Sequence, residues 1–187
     1  RHVDLATAQR LVRHAAALDL DAWVVAGWSR HRPASQQAFE AFVADTPEVG
    51  AIQLHGREAP ADVADFVARF PLAPVIKALG VASRHDLEAV AEFPKVDGFL
   101  FDAKPPSGAS REGGHGRAFD WGLLRGFDAG EDRDWTLSGG LDPENVAAAL
   151  RASKAQAVDV SSGVERAPGV KDYGKVRAFI QAAKGAG

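Results

Sequence analysis

Short apolar runs alternate with amphipathic stretches along the whole chain, and that alternation leaves few folds open. The runs at 22–26, 51–54, 74–78, 98–101, 135–137 and 157–160 are brief and nearly continuous in apolar residues. They read as parallel strands covered on both faces. Helical patterns fill the gaps, at 4–17, 33–44, 60–69, 83–92, 142–152 and 171–183. In the first, Leu5, Ala8, Leu11, Val12 and Ala15 form one stripe. Pro33 opens the second in its first turn, and Ser83 with Asp86 and Asp142-Pro143-Glu144 are start signals for later ones. The segment 119–124 reads as one or two turns. Such alternation implies a parallel sheet with right-handed crossovers. No Pro/Gly-rich linker divides it, so residues 1–187 are expected to form one domain.

Polar residues decide between an open sheet and a closed barrel. Trp28-Ser29, His55, Lys77, Asp102 and Lys104, Ser138 and Ser161-Ser162 all stand at or just past strand C-termini. Function spread over every strand end is barrel behaviour, whereas open sheets concentrate it at one switch point. A G-x-G-x-x-G fingerprint is missing after the first strand. The expected fold is therefore α/β, a (β/α)8 TIM barrel. Closure takes eight strands and six are read, so the first strand, first helix and second strand are expected upstream of Arg1, about 35 residues at the usual unit length.

The segment 137–165 carries the clearest chemistry. One strand ends in Ser138-Gly139-Gly140 and the next in Ser161-Ser162-Gly163. Glycine lets backbone N–H groups approach an oxyanion, and serine hydroxyls add donors. In barrels the loops after the seventh and eighth strands commonly hold a phosphate. Ordinary turn chemistry is the competing account. Asp159 precedes Ser161 by two and shares its side of the strand.

Asp102 follows the apolar run 98–101 at a strand end, where a partly desolvated carboxyl can serve as a general acid; it can equally order the next loop by accepting N–H bonds. That loop, 105–116, is rich in glycine and proline, consistent with a flap. Gln53 can face the interior and bond a ligand or a neighbouring layer. His55 at a strand end is more often structural than catalytic. Lys77 can form a Schiff base or bind an anion, but pairing with a neighbouring carboxylate is favoured. His2, His14, His31, His85 and His115 are scattered, so no metal site is indicated.

Composition excludes several partners. The net charge of −3 gives no basic field for nucleic acid or an anionic membrane. No apolar run reaches the ~20 residues of a membrane span. The sequence contains no cysteine, which removes disulfides and thiol chemistry from these 187 residues. A cytoplasmic protein is expected, a monomer or homodimer acting on a small molecule.

Taken in order, Gln53-Leu54-His55-Gly56, Pro74-Val75-Ile76-Lys77, Asp102-Ala103-Lys104-Pro105-Pro106, Gly113-Gly114-His115-Gly116-Arg117-Ala118-Phe119-Asp120-Trp121, Ser138-Gly139-Gly140-Leu141-Asp142-Pro143-Glu144-Asn145-Val146, Val158-Asp159-Val160-Ser161-Ser162-Gly163-Val164-Glu165 and Pro168-Gly169-Val170-Lys171-Asp172 resemble the phosphoribosylanthranilate isomerase family of tryptophan biosynthesis. The resemblance covers nearly the whole chain. It implies an Amadori rearrangement of N-(5-phosphoribosyl)anthranilate that needs no cofactor. It also implies Asp102 as general acid and Gly139, Gly140, Ser161, Ser162 and Gly163 as phosphate-gripping residues, with Asp159 at the site mouth. Arg1 matches an arginine that binds the anthranilate carboxylate. The general base that the resemblance implies is a strand-end cysteine, and this chain has none. His115 departs from the threonine or serine more usual there.

Two other readings stay open: a non-catalytic phosphate-ligand-binding module on the same scaffold, and another phosphate-handling barrel such as indole-glycerol-phosphate synthase, whose lysine and glutamate pattern is not found. Without the thiol, the chain alone is expected to be catalytically incompetent and to associate through its open sheet edges.

Overall fold

A computed structural model describes residues 3–26, 33–104, 118–130 and 133–186. Arg1, Trp28-Ser29, His2, His31, His115 and the loop 105–116 lie outside the described residues. Six parallel strands follow in chain order, and the chain divides into two compact units, Arg1–Lys77 with Glu92–Asp97, and Ala78–Ala91 with Gly98–Gly187.

In the first unit α1 (Leu5–Ala16) leads to β1 (Ala22–Ala26), α2 (Pro33–Ala44), β2 (Val49–Leu54), α3 (Pro60–Arg69) and the start of β3 (Val75–Val81). Asp4 caps α1 by accepting the Thr7 N–H at 2.8 Å. Phe39 stacks on Phe42 from α2, and Phe66 meets Phe70 at 4.6 Å between ring centroids. β1 pairs with β2 from Trp23↔Ala51 to Ala26↔Leu54, and β2 pairs with β3 from Ile52↔Val75 to Leu54↔Lys77. β2, flanked on both sides, is buried throughout its apolar run. β1 departs from the expected two-sided cover: Trp23 is 47 % and Val25 64 % exposed. β1 is an edge of the sheet among the described residues, with β2 as its one neighbour.

The second unit holds the rest of β3, a 3₁₀ helix at Arg84–Glu92, β4 (Gly98–Ala103), a 3₁₀ turn at Trp121–Leu124, and β5 (Asp134–Leu137). Then come α4 (Val146–Ser153), β6 (Ala157–Val158), a 3₁₀ turn at Ser162–Val164, β7 (Glu165–Ala167), β8 (Val170–Lys171) and α5 (Tyr173–Lys184). β4 pairs with β5 from Gly98↔Asp134 to Phe101↔Leu137, and β5 with β6 at Thr136↔Ala157 and Leu137↔Val158. Phe99, Leu100, Phe101, Leu124, Leu137, Val146 and Ala149 are buried, with Phe127 edge-on to Phe101 at 5.3 Å. β6, the other edge, has no further strand beside it among the described residues, and its Ala157 and the following Asp159 are exposed.

Several elements differ from the sequence expectation. β2 starts earlier, at Val49, and β4 runs to Ala103; β3 runs on to Val81, so Lys77 lies inside it and not at its C-terminal end. Residues 84–92 wind as 3₁₀ because the buried Leu87, Val90 and Phe93 recur every third residue. α4 starts at Val146, not Asp142, since the Asp142 carboxylate takes the N–H groups of Glu144 and Asn145 into a preceding turn. β6 stops at Val158. The hairpin β7–β8 was not expected; Pro168-Gly169, with Gly169 at φ +84°, supplies its turn, so α5 begins only at Tyr173 behind the Asp172 cap.

Candidate active site

Asp102 is the penultimate residue of β4 and only 8 % exposed. Its Oδ1 accepts the Ala103 N–H at 2.7 Å. Two glycines make room for this strand end. A Cβ at Gly139, whose φ is +89°, would fall on the Ala103 amide nitrogen and 2.7 Å from Asp102 Oδ1. A Cβ at Gly80 would stand 3.3 Å from the Lys104 Cα. The backbone of β4 therefore leaves the sheet between the ends of its neighbouring segments, and Asp102 sits against the turn at Gly139.

Lys104 fixes the same exit. Its N–H donates to Val81 O at 3.1 Å, and its ammonium reaches Asp86 Oδ1 at 2.7 Å. Asp86 Oδ2 also accepts from Ala82 N, Ser83 N and Ser83 Oγ. Burial pushes the Asp86 carboxyl up, but the Lys104 ammonium and these donors outweigh it and hold the group well below the usual range.

The two glycine-serine turns meet. Ser138 Oγ donates to Asp159 Oδ2 at 3.0 Å, and the Asp159 N–H donates to Leu137 O at 2.8 Å. Gly140, at φ +65°, presents its carbonyl to Asn145 Nδ2 at 2.9 Å. A Cβ at Gly163 would land on the Leu141 carbonyl oxygen, so only glycine lets the second turn lie on the first. Ser161 and Ser162 are exposed. Asp102, Gly139, Gly140, Asp159, Ser161, Ser162 and Gly163 are thus carried by one unit, with Asp102 beside Gly139 and Gly163 beside Leu141.

Gln53 belongs to the other unit. It is buried on β2, and the His55 Nδ1–H donates to its Oε1 at 2.8 Å. Lys77, 2 % exposed, donates to Glu58 Oε2 at 3.0 Å, Gly56 O at 2.9 Å and Leu54 O at 3.3 Å. That is the carboxylate pairing favoured for it. Glu58 and Lys171 escaped sequence reasoning, because a charged residue looks solvated until its partner is known; Asp86 is the start signal read with Ser83, but its pairing with Lys104 was not foreseen. Among the described residues no group of three His, Cys, Asp or Glu side chains is disposed to hold a metal ion. No helix among them is long and apolar enough to cross a membrane.

Parallel strands with a carboxyl and two glycine turns at their C-terminal ends define an α/β enzyme of the barrel type, acting on a small molecule. Comparison with known proteins narrows the class. The family model for N-(5'phosphoribosyl)anthranilate (PRA) isomerase matches residues 40–182. A relative named N-(5'-phosphoribosyl)anthranilate isomerase from Rhodopseudomonas palustris is 47 % identical over 98 % of this chain and 80 % of its own length. One of the same name from Hyphomonas neptunium is 53 % identical over 71 % of this chain; the match spans 62 % of that relative. The crystal structure of phosphoribosyl anthranilate isomerase from Thermotoga maritima superposes with a TM-score of 0.78 at 32 % identity, over 98 % of this chain and 82 % of that one. Another solved isomerase, in complex with reduced 1-(o-carboxyphenylamino)-1-deoxyribulose 5-phosphate, gives a TM-score of 0.74 at 29 % identity, over 98 % of this chain and 81 % of that one. The chain belongs to the N-(5'-phosphoribosyl)anthranilate isomerase family, isomerases of tryptophan biosynthesis.

Proposed function

We propose that this chain binds N-(5-phosphoribosyl)anthranilate and supplies the acid and the phosphate grip for its Amadori rearrangement to 1-(2-carboxyphenylamino)-1-deoxyribulose 5-phosphate. Asp102, as the general acid, gives a proton to the ribose ring oxygen as the C1–O bond breaks, and the anthranilate nitrogen lone pair forms the Schiff base. Removal of the C2 proton then sends that electron pair to the iminium nitrogen and yields the enolamine. Gly139, Gly140, Ser161, Ser162 and Gly163 hold the 5-phosphate through backbone N–H groups and hydroxyls. Asp159 lines the mouth, Gln53 bonds the substrate, and Arg1 takes the anthranilate carboxylate. Action in the cytoplasm, as a monomer or a homodimer, goes with this reading; size-exclusion chromatography separates the two states.

The observation that carries the reading is the buried Asp102 carboxyl, held against Gly139 at the end of β4. The complex of a related solved isomerase with a reduced deoxyribulose 5-phosphate supports the phosphate assignment. The lack of cysteine favours a second reading, a phosphate-binding module without turnover of its own.

Decay of substrate fluorescence, measured on residues 1–187 alone and with an added strand–helix–strand segment bearing a strand-end cysteine, tests both. Turnover is expected only with the added thiol, and Asp102→Asn should then lower it by at least ~10²-fold, as for a lost general acid. Turnover within about threefold of the parent would remove Asp102 from that role, given the size of such acid effects. Robust turnover by residues 1–187 alone would show that the thiol is not the base.

A further inference from the structure

The geometry points to Lys171 as a positioning residue for the Ser161-Ser162-Gly163 turn, with the β7–β8 hairpin acting as its brace. The inference rests on the phosphate reading of that turn. Lys171 Nζ donates to the Ser161 carbonyl at 2.7 Å, a charge-assisted bond ten residues along the chain. Ser161 is where the backbone leaves β6 and enters the 3₁₀ turn, at φ −114° and ψ −84°. Holding its carbonyl fixes the peptide plane shared with Ser162, and so the direction of the Ser162 N–H. That N–H is one of the donors the phosphate reading needs.

The hairpin accounts for how the ammonium reaches that carbonyl. Glu165 and Lys171 are directly opposite in the antiparallel register, and Glu165 Oε1 stands 3.5 Å from Lys171 Nζ. Glu165 is itself held: its side chain is nearly buried, Oε2 accepts the Gly169 N–H at 3.1 Å, and its carbonyl accepts Lys175 Nζ at 3.1 Å. The Asp172 N–H closes the base of the hairpin on Val164 O at 2.8 Å. Gly163, meanwhile, lies on the Leu141 carbonyl. The turn is therefore fixed from two directions, by close packing on one side and by a lysine on the other. The hairpin itself is short and largely exposed, three residues against two.

Calorimetric titration of inorganic phosphate into the full chain tests the assignment, with wild type, Lys171→Met, Lys171→Arg and the charge-matched control Lys184→Met compared by thermal melt alongside. Lys171→Met should weaken phosphate roughly tenfold, the size of one charge-assisted bond. Its melting temperature should stay near wild type, Lys171→Arg should recover affinity to within about threefold by the same bond, and Lys184→Met should bind as wild type does. Unchanged affinity in Lys171→Met, or an equal loss in Lys184→Met, overturns the brace while leaving the phosphate reading in place. A wild type that takes up no phosphate overturns that reading and the brace with it. Should Lys171→Met fail to fold, Glu165→Gln carries the test, and unchanged phosphate affinity there counts against the proposal.

Discussion

The strand ends of the two units are finished in opposite ways. At the end of β2, polar groups consume one another: the ammonium of Lys77 on β3 is surrounded by Glu58 and the carbonyls of Leu54 and Gly56, and Glu58 also takes the Gly56 N–H. At the end of β4 and β5, and after β6, the side-chain pairs Lys104–Asp86 and Ser138–Asp159 are joined by close backbone approach, with glycine at 139 and 163 because any Cβ would strike a neighbouring main chain. A charge whose donors are all taken inside the protein works for the fold. The phosphate reading asks the glycine-serine turns for main-chain donors, which is what an oxyanion requires.

The largest expected effect lies on the first side of this contrast. Lys77→Met should destabilise the chain by about 3–5 kcal/mol, because Glu58 is left buried without its cation. Adding Glu58→Leu should recover most of that loss, since a buried pair replaced by apolar groups is often near neutral. Denaturant unfolding measures both. A Lys77→Met chain that keeps its stability but loses phosphate binding would break the comparison.

Gly163→Ala probes the other side. Its methyl must displace the Leu141 backbone, at about 1–3 kcal/mol by analogy with overpacked cores. Phosphate affinity should fall more steeply than stability, as calorimetry beside thermal melts would reveal. If only stability moves, the turn is packing alone.

The smallest effect concerns Asp86. Its folded value lies below the ordinary 3.8, so its contribution to stability is present above that pH and is lost as the pH falls toward the folded value. The melting-temperature gap between wild type and Asp86→Asn should therefore be widest near neutrality and shrink below pH 3.8. A gap that stays constant down to the acid limit would mean the carboxylate bonds do not hold the exit of β4.

Alternation and glycine were enough to read most of the architecture. β1, α2 and α3 begin and end where the apolar pattern and proline signals place them. Asp102 and the two glycine turns were legible because a strand that stops in small residues is a local, one-dimensional signal. Glu58, Lys171 and the pairing of Asp86 with Lys104 were not, since each finds its meaning in a partner brought near by the fold. Glu58 meets Lys77 across 19 residues, Asp86 meets Lys104 across 18, and Lys171 meets the Ser161 carbonyl across ten. The 3₁₀ winding at 84–92 was also hidden, because three- and four-residue spacings overlap in so short a stretch.

The sequence by itself determined the order of the six parallel strands and most of the helices between them, the glycine positions and the carboxyl at the end of β4, since all of these follow from backbone sterics and local hydrophobic period. Only the tertiary structure decided which charges are buried together, which strands bare a face at the sheet edges, and which lysine holds which carbonyl. Those depend on distances between segments far apart in the chain, and no local preference encodes them.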